Sequence, residues 1–249
     1  MSCTVVTLNT WKGDGAYRTR LRLMAAELAA LRPDVVLLQE ALAAADGTVD
    51  TAARLAEACA LPHRVRHTGR RKARMVEGRR LDTTSGLAVL SRRPITGHRV
   101  VELPADPRDG DRQALIAHTT DADGAPMVAA TTHLTHLDDS PGLRRAQRDA
   151  VLAALAGIRD RPVVLGGDFN AGPESPVIAE LSGCRAGGAD FSPPTLLPAD
   201  GRGRADSLDH LFLLAGPWRA VRVARVLDAA DPATGLYPSD HAGVLAVFG

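Results

Sequence analysis

A chain of 249 residues, 45% hydrophobic and 24% charged with a formal net charge of +1, can bury a sizeable core and lies near the upper limit for one domain. One domain over residues 1–249 is therefore expected. Cys3, Cys59 and Cys184 are odd in number, widely spaced and without a nearby His pair, which argues against a disulfide framework or zinc knuckle and for a reducing compartment. The N-terminus lacks a basic region before its apolar run, and no stretch approaches the ~18 apolar residues of a membrane span, so a cytoplasmic protein is expected.

Period-two patterns or short apolar runs predict strands at Thr4 to Leu8 and Val35 to Leu38, with a helix over Tyr17 to Leu31 between them whose Leu21, Met24, Leu28 and Leu31 share a face. A helix at Thr51 to Ala60 follows, then strands at Gly86 to Leu90, Ala114 to His118 and Val128 to Thr132, and a helix at Leu143 to Ile158. Pro33 and Pro162 stop two of these helices. The last strands fall at Val163 to Leu165, Leu211 to Leu214, Val221 to Val226 and Gly243 to Phe248. Helices and strands interleave in the first half and strands dominate the second, which suits two packed sheets with helices outside them better than a doubly wound parallel sheet. The turn-rich stretch Cys184 to Arg204 reads as a surface loop.

Residues His63 to Arg80 carry eight Arg or Lys against the single Glu77, a local balance of +7. A solvated arginine-rich loop and a phosphate-gathering surface are equally compatible with it.

Short polar motifs fall at the ends of the predicted strands: Leu8-Asn9-Thr10-Trp11, Leu38-Gln39-Glu40, Thr132-His133-Leu134, Gly167-Asp168-Phe169-Asn170, Leu208-Asp209-His210 and Ser239-Asp240-His241. A buried strand that ends in Asp and Asn holds a carboxylate and an amide rigidly at the rim of a sheet. Each motif alone has an ordinary structural reading, since Asp-x-Asn is a common turn and a lone His is usually a hydrogen-bonded structural residue. Their joint order is the signal.

That order, from Thr4 to His241, resembles the endonuclease/exonuclease/phosphatase superfamily, the DNase-I-like metal-dependent phosphoesterases. The resemblance implies an α+β fold, a four-layer sandwich of two mixed sheets flanked by helices. It places Asn9 and Glu40 at a Mg²⁺ or Mn²⁺ ion with Glu40 the direct ligand, in keeping with the preference of hard cations for carboxylate oxygen, and it has Asp240 support the metal site or His241. Asp168 is implied to orient or deprotonate the attacking water and Asn170 to donate to a phosphoryl oxygen. His241, oriented by Asp209, is implied to stabilise transition-state charge. His133 matches a second family histidine, with Asp82 as a candidate carboxylate partner. Arg144 and Gln147 are expected in structural hydrogen bonds, and His136, Asp138 and Asp139 in a solvated loop rather than a second metal site.

Departures narrow the class. Trp11 stands where abasic-site endonucleases carry a second acidic residue, and Asp206-Ser207-Leu208-Asp209 replaces the Cys-Asp-Arg block of inositol polyphosphate phosphatases. No apolar hairpin suggests a lipid headgroup substrate. Aromatic residues are only 3% of the chain, which disfavours recognition by base stacking. The expectation is a metal-dependent phosphoesterase acting by in-line attack of water, with a compact phosphoester or nucleotide-like substrate favoured over a nucleic-acid backbone. A phosphate-binding protein that has lost turnover is the competing class.

Overall fold

A computed structural model describes residues 2–188, 191–200 and 206–249. In chain order the strands are β1 (Cys3–Asn9), β2 (Val35–Ala44), β3 (His63–Thr68), β4 (Lys72–Val76), β5 (Arg79–Ser91), β6 (Gly97–Glu102), β7 (Gln113–Thr120), β8 (Pro126–His133), β9 (Val163–Asp168), β10 (Asp209–Ala215), β11 (Ala220–Val226) and β12 (Gly243–Phe248). The helices are α1 (Tyr17–Leu31), α2 (Thr51–Ala58), α3 (Pro141–Leu155) and the single turn α4 (Pro176–Ala179).

The strands form a seven-stranded sheet, ordered β11-β12-β1-β2-β5-β3 with β4 also on β5, and a five-stranded sheet ordered β10-β9-β8-β7-β6. Both are mixed: β1 runs parallel to β2 and β8 parallel to β9, while the other pairings are antiparallel. Side chains alternate along a strand, so each sheet offers two apolar faces. The inner faces meet through Val5, Leu37, Val89, Leu115, Ala129, Val164 and Leu211. The outer face of the larger sheet packs Val6, Leu8, Val36 and Leu38 on Met24, Leu28 and Leu55 of α1 and α2. That of the smaller sheet packs Ile116, Val128 and Leu165 on Val151 and Leu155 of α3. The result is the expected four-layer α+β sandwich.

Helix α1 ends where Arg32 turns left-handed, at φ 49°, and Pro33 follows. Asp50 caps α2 by accepting from Ala53 N, and Pro141 occupies the first turn of α3. The two sheets are also tied by a polar link: buried Gln39 on β2 donates through Nε2 to Thr7 on β1 and across the interface to Thr131 on β8. At the β8–β9 contact a Cβ on Gly167 would lie 2.1 Å from the Thr132 carbonyl oxygen, so the close approach requires glycine.

Four strands depart from the expectation. The arginine-rich segment is β3, β4 and the start of β5 rather than a loop, and β6 lies outside any predicted strand. Both β3 and β6 are edge strands, where charged side chains replace the apolar alternation that marks an interior strand. The stretch Cys184 to Arg204 is also more than a surface loop. Its Ala189, Asp190 and Gly201 to Arg204 fall outside the described residues, but Thr195 and Leu197 are buried, and Leu196 bridges His241.

Candidate active site

The strand-end motifs converge at one end of the sandwich. Parallel pairing brings Asn9 of β1 beside Gln39 of β2, and His133 of β8 beside Asp168 of β9. The antiparallel start of β10 sets Asp209 opposite Asp168. Asn9, Glu40, His133, Asp168, Asn170, Asp240 and His241 all line a single open cavity of about 1160 Å³. Asp209 stands behind His241, buried at 2% exposure.

Asp168 is the centre of the hydrogen-bond network. Its Oδ2 accepts from Asn9 Nδ2 at 3.0 Å, and its Oδ1 accepts from the Asn170 backbone N–H at 2.9 Å. His133 Nε2 lies 3.4 Å and His241 Nε2 3.9 Å from the same Oδ2. Burial raises the Asp168 carboxyl to about 6 even though the His241 cation pulls it down. His133 is held neutral, its pKa depressed by burial and by the Arg112 charge. The carboxylate beside His133 is therefore Asp168. Asp82 is not: it lies on β5, more than half exposed, paired with Arg71.

His241 Nδ1 donates to Asp209 Oδ2 at 2.7 Å, which leaves Nε2 facing the cavity. Burial alone would lower this imidazole's pKa, but the carboxylates of Asp209 and Asp168 outweigh it and raise it to about 10. The site thus sets a neutral and a cationic imidazole on either side of one carboxylate. Thr195 Oγ1 accepts from the backbone N–H groups of Leu208 and Asp209 and so fixes the start of β10. Nothing in the sequence around Thr195 marks that role.

Glu40 sits in a bulge of β2, where the pairing with β5 shifts between Leu38 and Ala41, and it adopts φ 56°. Left-handed backbone at a non-glycine residue is costly and persists where the surrounding structure holds it. Trp11, Lys12 and Asn170 share this conformation, at φ 55°, 42° and 48°. The Trp11–Lys12 turn is held by Arg20 of α1, whose buried guanidinium donates to the carbonyls of Thr10, Trp11, Lys12, Asp14 and Pro238 and lies 4.6 Å over the Trp11 ring. The fully buried residues of α1 are Tyr17, Arg20, Met24 and Leu28, and the expected Leu21 and Leu31 are partly buried against the same core, so Arg20 adds to the expected face. A charged residue on a helical core stripe was the available signal.

The donor chemistry suits a hard cation at Glu40. Lys12 Nζ lies 2.7 Å from Glu40 Oε1, so a cation already sits on this carboxylate, and Asp240 and Asn9 line the same rim. Asn9 Oδ1 accepts from Trp11 N at 3.0 Å, and a carbonyl oxygen keeps a second lone pair. Among the described residues, Asp168, Asp209 and His241 also present ligand atoms within 4.8 Å of one another, although the Asp209–His241 bond uses one from each.

The remaining expected residues have structural partners. Asn170 spends one amide N–H on the Leu134 carbonyl, leaving the other for the cavity it lines. Arg144 donates to the carbonyls of Thr135 and Leu137, and Gln147 accepts from Thr135 N and donates to Pro104 O. His210 bonds the Ala171 carbonyl through Nε2 and is kept neutral by burial. His136 lies 3.0 Å from Arg112 and Asp139 pairs with Arg108. Arg112 in turn is bidentate on buried Asp109.

The family model described as Endonuclease/Exonuclease/phosphatase family matches residues 6–241. No curated protein matches the chain in sequence. Among solved structures, an endonuclease/exonuclease/phosphatase from Beutenbergia cavernae DSM 12333 superposes with TM-score 0.75 at 23% identity, covering 99% of this chain and 71% of that one. D. rerio TDP2, complexed with a single-strand DNA product, gives 0.74 at 21% identity over 100% of this chain and 99% of its own. The human Nocturnin catalytic domain with a bound sulfate anion gives 0.73 at 20%, over 100% and 93%. At these identities the likeness establishes the fold.

Proposed function

This chain belongs to the Endonuclease/Exonuclease/phosphatase family, and from that premise we propose that it is a divalent-metal-dependent phosphoesterase that hydrolyses its substrate by direct in-line attack of water. The observation that carries the reading is the Asp168 carboxylate, fixed by Asn9 and Asn170 between a neutral His133 and a cationic His241.

Asp168 in its ionised form accepts a proton from the attacking water, and the Asn9 amide and Asn170 backbone hold it at one angle. The His241 Nε2–H donates to a phosphoryl oxygen as negative charge builds, and Asp209 keeps the imidazole protonated. His133 and the free N–H of Asn170 supply further donors. Glu40 would hold the Mg²⁺ or Mn²⁺ ion with Asp240 and Asn9 beside it, and the ion would supply Lewis-acid charge to the phosphoryl group.

A compact phosphoester or nucleotide-like substrate fits the lining, where Trp11 is the sole Trp, Tyr or Phe among the described residues. The size of the cavity favours a second reading. At about 1160 Å³ it exceeds the roughly 300–1,000 Å³ of small-ligand pockets, leaving room for part of a nucleic-acid strand, and the D. rerio neighbour holds such a product.

The test is Mg²⁺ binding by calorimetry and turnover of a phosphoester panel, for the wild type and for Glu40→Gln. Loss of one ligand charge at constant size should lower both metal affinity and rate. Full activity in excess chelator would sink the reading.

A further inference from the structure

Most cations that line the cavity are neutralised where they stand. Lys12 pairs with Glu40, Arg70 with Asp111, Arg108 with Asp106 and Asp139, and Arg112 with Asp109. Arg144 is taken up by the carbonyls of Thr135 and Leu137, and Lys72 and Arg74 of β4 differ from all of these. Among the described residues Arg74 is held by hydroxyls, donating to Thr83 Oγ1 at 2.8 Å and Ser85 Oγ at 3.4 Å. Among the described residues neither side chain has a carboxylate partner.

Their placement is fixed by the strand. Alternation sets Lys72, Arg74 and Val76 on one face of β4, and Val76 is buried against the turn that carries Lys12, since a Cβ on Gly13 would meet Val76 at 3.0 Å. The same face therefore carries the Arg74 and Lys72 charges outward along the cavity rim. In the β2–β5 pairing Gly86 faces Ala41 and Ser85 faces Leu42, so the Ser85 that Arg74 contacts lies across from β2 two residues along from Glu40 in the bulge, and Lys72, Arg74 and Glu40 line the same cavity.

We propose that Lys72 and Arg74 form a second anion subsite that receives a phosphate flanking the scissile one, which makes the substrate class a nucleotide chain of at least two phosphates. The inference rests on the phosphoesterase reading for the identity of the scissile group. Hydroxyl-held guanidinium and free ammonium both offer donors to phosphate oxygen without first breaking an ion pair.

The experiment compares thymidine dinucleotide (TpT) with the same compound carrying an added 5′ or 3′ phosphate. Equilibrium binding is measured in chelator, and turnover separately with Mg²⁺. The wild type should bind one of the two phosphorylated forms about tenfold or more tightly than TpT, as expected for charge-assisted hydrogen bonds. In Lys72→Gln/Arg74→Gln, with melting unchanged, that ratio should fall to about one. Arg71→Ser should keep it, because Arg71 points to Asp82 in a separate groove. Equal binding of all three compounds, a preference that survives the double change, or one lost equally in Arg71→Ser would overturn the subsite. A preference that behaves as expected with no turnover of any phosphoester would leave the subsite standing and remove the phosphoesterase reading.

Discussion

His241 Nδ1 and Asp209 Oδ2 are 2.7 Å apart, and the other oxygen of this carboxylate, Oδ1, is buried with no hydrogen-bond partner among the described residues. A carboxylate satisfied on one side only leans on that single imidazolium, so the pair is held by mutual need. Asp209→Asn removes the charge that sustains the cation while nearly preserving shape. The expected result is a kcat lowered by ~10²-fold or more, with KM little changed, and an alkaline limb of the pH–rate profile that moves from about 10 toward neutrality. Wild-type kcat in a folded variant would remove His241 from the charge-stabilising role.

Asp168 sets the acid limb. Its pKa is raised by burial to about 6, so the ionised form needed to accept a proton is lost as pH falls through that value. Activity is expected to drop tenfold for each unit below it. Asp168→Asn should be inactive at every pH while melting at or above the wild-type temperature at neutral pH, because it removes a buried charge. Retained activity in that variant would assign the proton transfer elsewhere.

Asp109 governs stability rather than rate. Burial alone would raise its carboxyl, but hydrogen bonds from Arg112 and Thr135 and the Arg112 charge outweigh this and hold it at about 2. A folded pKa below the unfolded ~3.9 means the folded state binds the proton more weakly. The resulting stability, roughly 2 kcal/mol, is fully present above pH ~4 and is lost as pH falls through the folded value. Asp109→Asn should lower the melting temperature at pH 7 and flatten the acid dependence. Equal melting of both proteins at pH 7 would remove Asp109 from this account.

Arg20 positions the turn that carries Lys12 and follows Asn9. Arg20→Met keeps the buried volume but leaves the carbonyls of Thr10, Asp14 and Pro238 without their side-chain donor and that of Trp11 with the Asp14 N–H alone. Destabilisation by about 3 kcal/mol or more is expected. At temperatures where the variant stays folded, metal affinity should fall along with kcat, since the turn borders Glu40. Unchanged metal affinity would limit Arg20 to a structural role.

The sequence by itself determined the interior strands, the α1 boundaries and the order of polar residues at the strand ends. These are local facts: a doubly buried strand such as Val35–Leu38 must be apolar throughout, and Pro33 ends a helix wherever the helix lies. It did not determine β3 or β6, because an edge strand pairs on one side only and tolerates the charges of His-Arg-Val-Arg.

Tertiary structure alone decided which residues of the site meet. That Asp168 rather than Asp82 stands beside His133, that Arg20 is buried against Trp11, and that among the described residues Arg74 lacks the ion pair that Arg70 and Arg71 have all depend on distances between segments far apart in the chain. Hydrophobic periodicity encodes which face of an element is buried, and so a sequence can be read for its layers. The partner of a charge depends on strand register and on the twist of loops across the sandwich, and these are set only when the two sheets pack.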